Sequence, residues 1–434
     1  MADSRYPTEL AAELAPDALE RLLRYVRIDT QADEASTTYP STQKQLELSR
    51  LLAEELAELG LDDAHVEEGS GYVFATLPAT GDGEGAPTLG LIAHVDTSPD
   101  VSGAGVQPQV VEAYGGGDIP LPGAPGEVLS PGQSPLLAER VGHDIVTTDG
   151  TTLLGADDKA GVAEIMAAVA YLVRHPELPR ARTRIAFTVD EEVGRGTERF
   201  DIERFGAAFA YTFDGARVGE IENETFTAHE AVVTFRGRSA HPGTAKGKLV
   251  NAVKLASEFV ERLPKDSLSP ETTEGREGFV HPRLIEGSAE RARVVFIVRD
   301  FESDLVEQHE QLLRELAGEV VAGIEGAGVE ISVREQYRNM REVLEQHPRV
   351  LAAAEEAARR VGLEPRTGSI RGGTDGSMLT AKGLPTPNIF TGGNEYHSVR
   401  EWISVQDMAT SAAAAVELVR LWAEPEWRNG EGGG

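Results

Sequence analysis

The sequence predicts an α/β fold, in which a domain built on a mostly parallel central sheet is interrupted by a smaller inserted α+β domain. Three observations predict it. At 434 residues the chain exceeds what one hydrophobic core usually serves. Apolar segments repeatedly end in a carboxylate or an imidazole, as buried parallel strands do when their carboxyl ends open onto a site. From Phe226 to Glu335 the order strand, helix, strand, helix, strand reads as a separate α+β unit. The expected boundaries are a first segment of the large domain over 1–224, the insertion over 225–340, a second segment over 341–425 and a disordered tail over 426–434.

Bulk composition bounds the function. Hydrophobic content of 40% and charged content of 26% are those of a soluble globular protein. A net charge of −31 argues against nucleic acid and anionic membranes as partners. No apolar run reaches the roughly 18 residues of a membrane helix, and the start MADSRYPTELAAEL lacks the features of a signal peptide. A cytoplasmic location is expected. With no cysteine, any metal must be held by imidazoles and carboxylates.

In chain order, Pro16 to Arg27 and Gln43 to Leu59 read as amphipathic helices, and Val73 to Leu77 as a strand. Thr88 to Val95 is a nearly unbroken apolar run, expected to be a buried parallel strand. His94 and Asp96 close it, two residues apart and so on one face, where Asp96 can hold the imidazole nitrogen that does not bind metal. The Gly- and Pro-rich stretch from Asp100 to Gly142 reads as a long surface excursion. In TTLLGADDKAGVAEIMAAVAYL an apolar segment meets Asp157 and Asp158, and Ala160 to Leu172 continues as a helix. Taken alone, that acid pair is most simply an N-cap. Arg184 to Val189 is a strand running into Asp190, Glu191 and Glu192, and Ala208 to Phe213 is another, ending in Asp214.

In the insertion, Phe226 to Arg236, Arg291 to Arg299 and Val329 to Glu335 read as strands, with helices over Val250 to Leu263 and Leu305 to Val321. Beyond it come a helix from Pro348 to Val361, a Gly-rich loop from Gly368 to Asp375, a strand from Pro385 to Thr391, His397, and a last helix from Val405 to Ala423.

His94, Asp157, Glu192, Asp214 and His397 form a set of five candidate ligands, with Glu191 left over. Five are too many for one catalytic zinc with an open position but suit two metals sharing a carboxylate. Glu191, next to a ligand, could then take a proton from an activated water. Spacing this long-range leaves other arrangements open.

The segments LIAHVDTSPD, LLGADDKAGVAEI, FTVDEEVGRGTERFD, AYTFDG, SAHPGTAKGKLVNA, PETTEGREGF, IVRDFE, IRGGTDGSM and PNIFTGG with YHS resemble the peptidase T family. Those enzymes are tripeptide aminopeptidases among the dinuclear zinc exopeptidases related to glutamate carboxypeptidase. The resemblance runs from about Leu22 to Trp422. It implies a zinc-exopeptidase-type catalytic domain with an inserted lid, two zinc ions per chain and short peptides as substrates. His94 and Asp214 would bind one zinc, Glu192 and His397 the other, and Asp157 would bridge them. Glu191 would be the general base and later proton donor, with Asp96 supporting His94. His241, in the lid, matches a residue that helps polarise the scissile carbonyl in relatives, often across a dimer, which leaves open a homodimer through the lid. Arg299 and Arg371 would anchor peptide carboxylates. A cis peptide between Asp157 and Asp158 is also implied. Related carboxypeptidases and deacylases usually carry Glu at the position of Asp214, whereas relatives acting on free amino termini tend to carry Asp.

The nearest alternative is the same machinery used as a dipeptidase or an N-acyl amino-acid hydrolase. A phosphohydrolase would need an aspartyl nucleophile, and neither Asp96-Thr97-Ser98 nor Asp149-Gly150-Thr151 has the Asp-x-Asp spacing after a strand. An inactive zinc scaffold would have no use for Glu191.

Overall fold

The computed structural model describes residues 5–428. They form two compact units: one of 5–223, 342–368 and 374–428, the other of 224–341 with 369–373. The insertion expected over 225–340 thus gains a second, short piece of chain, Ser369 to Gly373.

The larger unit is built on an eight-stranded sheet. Its order is Asp62–Val66, Val73–Leu77, Thr183–Thr188, Leu89–His94, Phe209–Gly215, Asn388–Phe390, Glu220–Thr225 and Arg366–Ile370. The four strands from Thr183–Thr188 to Asn388–Phe390 are parallel to one another, and antiparallel strands flank them. Every residue of Leu89–His94 is buried, as an unbroken apolar run requires of a strand covered on both faces. The helix Ala156–Arg174 is buried on nearly all sides, because it packs against the sheet and against the helices Glu9–Tyr25 and Val405–Leu421. Its small residues permit that approach. A Cβ on Gly161 would lie 1.9 Å from the Phe213 carbonyl oxygen, so only glycine lets this helix touch the strand that carries Asp214.

Several local readings change. The first helix starts earlier than expected, at Glu9, where Thr8 caps it by accepting the Ala11 N–H at 3.1 Å. The Asp100 to Gly142 stretch is more than a surface excursion. Tyr114, Ile119, Leu121, Leu129 and Leu137 form a small core with Ile145 and Trp402. Within the same stretch, Gln109–Val111 joins a four-stranded sheet with Ile145–Thr147, Trp402–Ser404 and Gly393–Asn394. Its apolar residues are spaced by turns rather than by a helix or strand period, which hid them. The tail expected from 426 begins instead with a short helix, Pro425–Arg428, whose Trp427 packs on the main core. The rest of that tail, 429–434, lies outside the described residues.

The smaller unit is a four-stranded antiparallel sheet in the order Phe279–Gly287, Arg291–Asp300, Thr227–Arg236, Gly328–Tyr337. Helices Ala252–Glu261 and Ser303–Val321 cover it, burying Phe235, Phe259, Phe296 and Leu313. The strand Phe279–Gly287 was not legible. It is an edge strand with Pro282 at a register shift, and most of its side chains are exposed, so it shows no clean alternation. Among the described residues no helix is long and apolar enough to cross a membrane.

Candidate metal centre

The carboxyl ends of the parallel strands converge. His94 and Thr188 are register partners, so the chains leaving their two strands run side by side. That brings Asp96 under the Asp190-Glu191-Glu192 turn. Asp214 lies in the next strand, held by a hydrogen bond from its N–H to Asn388 Oδ1 at 3.1 Å.

Asp157 lies between two imidazoles. His94 Nε2 is 3.0 Å from Asp157 Oδ1, and His397 Nε2 is 3.4 Å from Asp157 Oδ2. His94 Nε2 is also 3.6 Å from Asp214 Oδ1, and His397 Nε2 is 2.9 Å from Glu192 Oε2. Each imidazole thus lies near Asp157 and near one further carboxylate. The peptide bond between Asp157 and Asp158 is cis. Both residues have non-helical backbone angles at the helix start, which turns their side chains out of a capping position.

Asp158 is fully buried and accepts the His94 N–H at Oδ2, 3.0 Å away, while its Oδ1 has no hydrogen-bond partner. Ligand-like atoms of His94, Asp157 and Glu192 lie within 4.8 Å of one another, as do those of His94, Asp158 and Asp214. Asp158, which with Asp157 reads from sequence most simply as an N-cap, therefore belongs to the cluster.

Asp96 does more than expected. The His94 Nδ1 is 3.1 Å from the Asp96 carbonyl oxygen and 3.4 Å from its carboxylate. The same carboxylate accepts the N–H groups of Glu191 and Glu192, each at 3.1 Å. Asp190 sits at φ +62. Its carboxylate is held by the Ser41 N–H and hydroxyl and by Gln45 Nε2, at 2.6, 2.5 and 2.7 Å. A left-handed Asp190, anchored on one side, and Asp96 on the other aim the two glutamates.

The electrostatics are those of too much negative charge in too little water. Burial raises Glu191 well above its usual value, and Glu192 to about 8, with Asp157 adding to the second shift. Burial also raises Asp214 to about 6. Hydrogen bonds to Asp157 and Glu192 lift His397 to about 11. Burial opposes charge on His94, but its bonds to Asp157, Asp214 and Asp96 outweigh that and raise it. Carboxylates in this density need positive charge. Glu192 Oε1 is buried without a hydrogen-bond partner, as a ligand atom waiting for a cation would be. Imidazole nitrogens with carboxylate oxygens, and no thiolate, suit borderline divalent ions such as zinc. The residues present fit a pair of cations.

Of the ten residues singled out from sequence, seven come together here: His94, Asp96, Asp157, Glu191, Glu192, Asp214 and His397. The other three lie in the smaller unit. His241 is exposed, and its Nδ1 accepts the Gly243 N–H at 3.1 Å. Arg299 bonds the His229 and Val298 carbonyls and Gln336. Arg371 bonds the Gly275 carbonyl and Thr273 Oγ1 and lies over the rings of Phe226 and Phe279. Neither guanidinium is free, so the role of carboxylate anchor gains no support from this arrangement.

Three further acids escaped the sequence reading, two of them, Asp375 and Glu401, buried. Asp375 accepts the Thr188 hydroxyl at 2.6 Å and acts electrostatically on Glu191. Glu222 accepts from Asn388 Nδ2 at 2.6 Å, behind Asp214. Glu401, 1% exposed, accepts three backbone N–H groups around Asp157. A signal for Glu401 was present: an acid between His397 and the apolar strand that follows.

The profile of peptidase family M20/M25/M40 matches residues 148–421. Peptidase T of Geobacillus thermodenitrificans is 47% identical over 406 residues, covering 94% of this chain and 98% of its own. Peptidase T of Shouchella clausii is 48% identical over 408 residues, with the same coverage of 94% and 98%. Among solved structures, aminopeptidase PepT from Bacillus cereus superposes with a TM-score of 0.72 at 23% identity, over 94% of this chain and 99% of that one. Sharing nearly half its residues with such relatives over almost its whole length, the chain belongs to peptidase family M20/M25/M40, within the peptidase T group.

Proposed function

We propose that this peptidase removes the N-terminal residue from tripeptides with the help of two zinc ions, which His94, Asp157, Glu192, Asp214 and His397 would hold. The observation that carries the reading is the placement of Asp157 between the two imidazoles, each with its own carboxylate, in a chain so similar to proteins named peptidase T. Bound divalent cations would supply Lewis acidity, polarising the scissile carbonyl and making water acidic. The chain's own residues do the rest. Glu191 has no hydrogen bond to its carboxylate among the described residues, and burial favours its protonated form, so it can take a proton and later pass it to the leaving amine. Asp96 holds the Glu191–Glu192 turn and orients His94. Asp214, in place of the glutamate usual in related carboxypeptidases and deacylases, is the feature that favours a free amino terminus. His241, Arg299 and Arg371 remain proposals for carbonyl and carboxylate recognition. A homodimer through the lid and a cytoplasmic location belong to the same reading.

Metal analysis beside a cleavage assay tests it. Tripeptides should be cleaved, dipeptides and N-acetylated tripeptides poorly, and chelation should abolish turnover. Full activity after chelation defeats the metal reading. Preferential cleavage of a dipeptide or of an N-acetyl amino acid favours the alternative use of the same centre.

A further inference from the structure

We infer that Glu401, outside the ligand set, is the positioning residue that fixes Asp157 and keeps the His397 segment in register with it. This rests on the functional reading above.

A helix start leaves N–H groups without partners, and the residue at the N-cap usually supplies an oxygen from its own side chain. The helix Ala156–Arg174 cannot do this. Its N-cap is Gly155, at φ +81, with no side chain to offer. The two acids that follow are turned away, Asp157 toward the imidazoles and Asp158 toward the His94 N–H.

Glu401 fills the vacancy from a site 246 residues away in sequence. Its Oε2 accepts the N–H groups of Leu154 and Gly155, both at 2.8 Å, and its Oε1 accepts that of Asp157 at 3.0 Å. The bland sequence reading of the Asp157–Asp158 pair as a cap is thus wrong for a definite reason: another residue caps that helix, leaving both aspartates for the site.

The other end of Glu401 is equally constrained. Its carbonyl accepts the Thr147 hydroxyl at 2.8 Å, and its N–H reaches the Ser398 carbonyl at 3.3 Å. The strand Trp402–Ser404, which follows directly, pairs antiparallel with Ile145–Thr147. One buried side chain therefore joins the loop that delivers Asp157 to the loop that delivers His397. Carboxylates and carbonyls that orient metal-binding residues in this way commonly affect metal affinity or activity by about 10- to 100-fold.

The test uses Glu401→Gln and Glu401→Ala in the full chain. A glutamine keeps the shape but has one carbonyl oxygen. If that oxygen serves Leu154 and Gly155, its NH2 confronts the Asp157 N–H, so the bond to Asp157 is the one lost. Metal-free protein is titrated with zinc against a competing chelator, melted with and without zinc, and assayed for kcat and KM on a tripeptide.

For Glu401→Gln we expect at least one zinc to bind about 10-fold or more weakly, with kcat reduced, KM little changed and the metal-free melting temperature near wild type. Glu401→Ala should shift zinc affinity further. Wild-type zinc affinity and kcat in Glu401→Gln would overturn the inference. So would a variant whose metal-free form is destabilised while its folded fraction binds zinc normally, since that describes a purely structural residue. If the wild-type protein itself takes up no zinc, the functional reading falls, and this inference with it.

Discussion

Asp96 and Glu191 are joined by a hydrogen bond of 3.1 Å from the Glu191 N–H to Asp96 Oδ1, and the Glu192 N–H meets Oδ2 of the same buried carboxylate at 3.1 Å. Two neighbouring glutamates are thus held by one side chain, which also contacts His94. Asp96→Asn puts an NH2 group against one of those N–H groups and leaves a donor unsatisfied, at a cost of roughly 1–3 kcal/mol. Turnover should fall by about 10- to 100-fold, as for other partners of metal ligands. Wild-type kcat and metal content in Asp96→Asn would show that the turn holds itself.

Glu191 and Glu192 should separate cleanly. Glu191→Gln cannot accept a proton, so metal content should stay near wild type while turnover drops by at least about 10²-fold. Glu192→Gln removes the carboxylate paired with His397 at 2.9 Å and should lose metal. Elemental analysis beside turnover decides it. Loss of metal in Glu191→Gln with retention in Glu192→Gln would mean the two roles are exchanged.

Gly161 controls how closely the Asp157 helix approaches the Asp214 strand. A Cβ there meets the Phe213 carbonyl oxygen at 1.9 Å and Asp158 Oδ1 at 2.5 Å, and neither is the end of a long flexible side chain. Gly161→Ala should destabilise by about 1–3 kcal/mol or more, as overpacking does, and should weaken metal binding in whatever still folds. Unfolding by denaturant with metal removed isolates the first effect. An unchanged midpoint would show that the helix can shift at no cost.

Glu164 offers a pH test away from the metal centre. It is fully buried between the helices Ala156–Arg174 and Val405–Leu421, accepts the Ser411 hydroxyl at 2.6 Å, and leaves Oε1 without a hydrogen-bond partner. Burial raises its pKa well above the usual value. With the folded value above the unfolded one, its contribution is fully present below the ordinary carboxylate range and is lost as pH rises toward the folded value. Within that window stability should fall by up to about 1.4 kcal/mol per pH unit. Glu164→Gln stays neutral, so its melting temperature should gain on wild type between acidic and mildly alkaline pH. Parallel curves for the two proteins would mean that Glu164 is ionised inside the fold.

The principal strands and helices were legible because their apolar periods are strong: Val73–Leu77 has the expected bounds, and most of the others differ only at their ends. The seven clustered residues were legible only in part from such patterns: His94, Asp96, Asp157, Glu191, Glu192 and Asp214 lie at or just beyond the ends of apolar runs, but the acid pair at Asp157 alone reads as a cap, and His397 with the separate roles came from the resemblance to peptidase T. The edge strand Phe279–Gly287 and the small core around Trp402 were not legible, because Pro282 and closely spaced turns break the periods that would announce them.

What the sequence by itself determined is chemistry: which side chains can ligate, which can accept a proton, and that no thiolate takes part. What only the tertiary structure decided is aim. Asp157 points between two imidazoles because Glu401, far away in the chain, caps the helix in its place, and Glu191 stands apart from Glu192 because Asp96 and the left-handed Asp190 set the turn between them. Those contacts are hydrogen bonds to backbone N–H groups. Every residue but proline carries such a group, so the donors leave no mark in the sequence, and their carboxylate partners look like any other acid until the fold brings the two together.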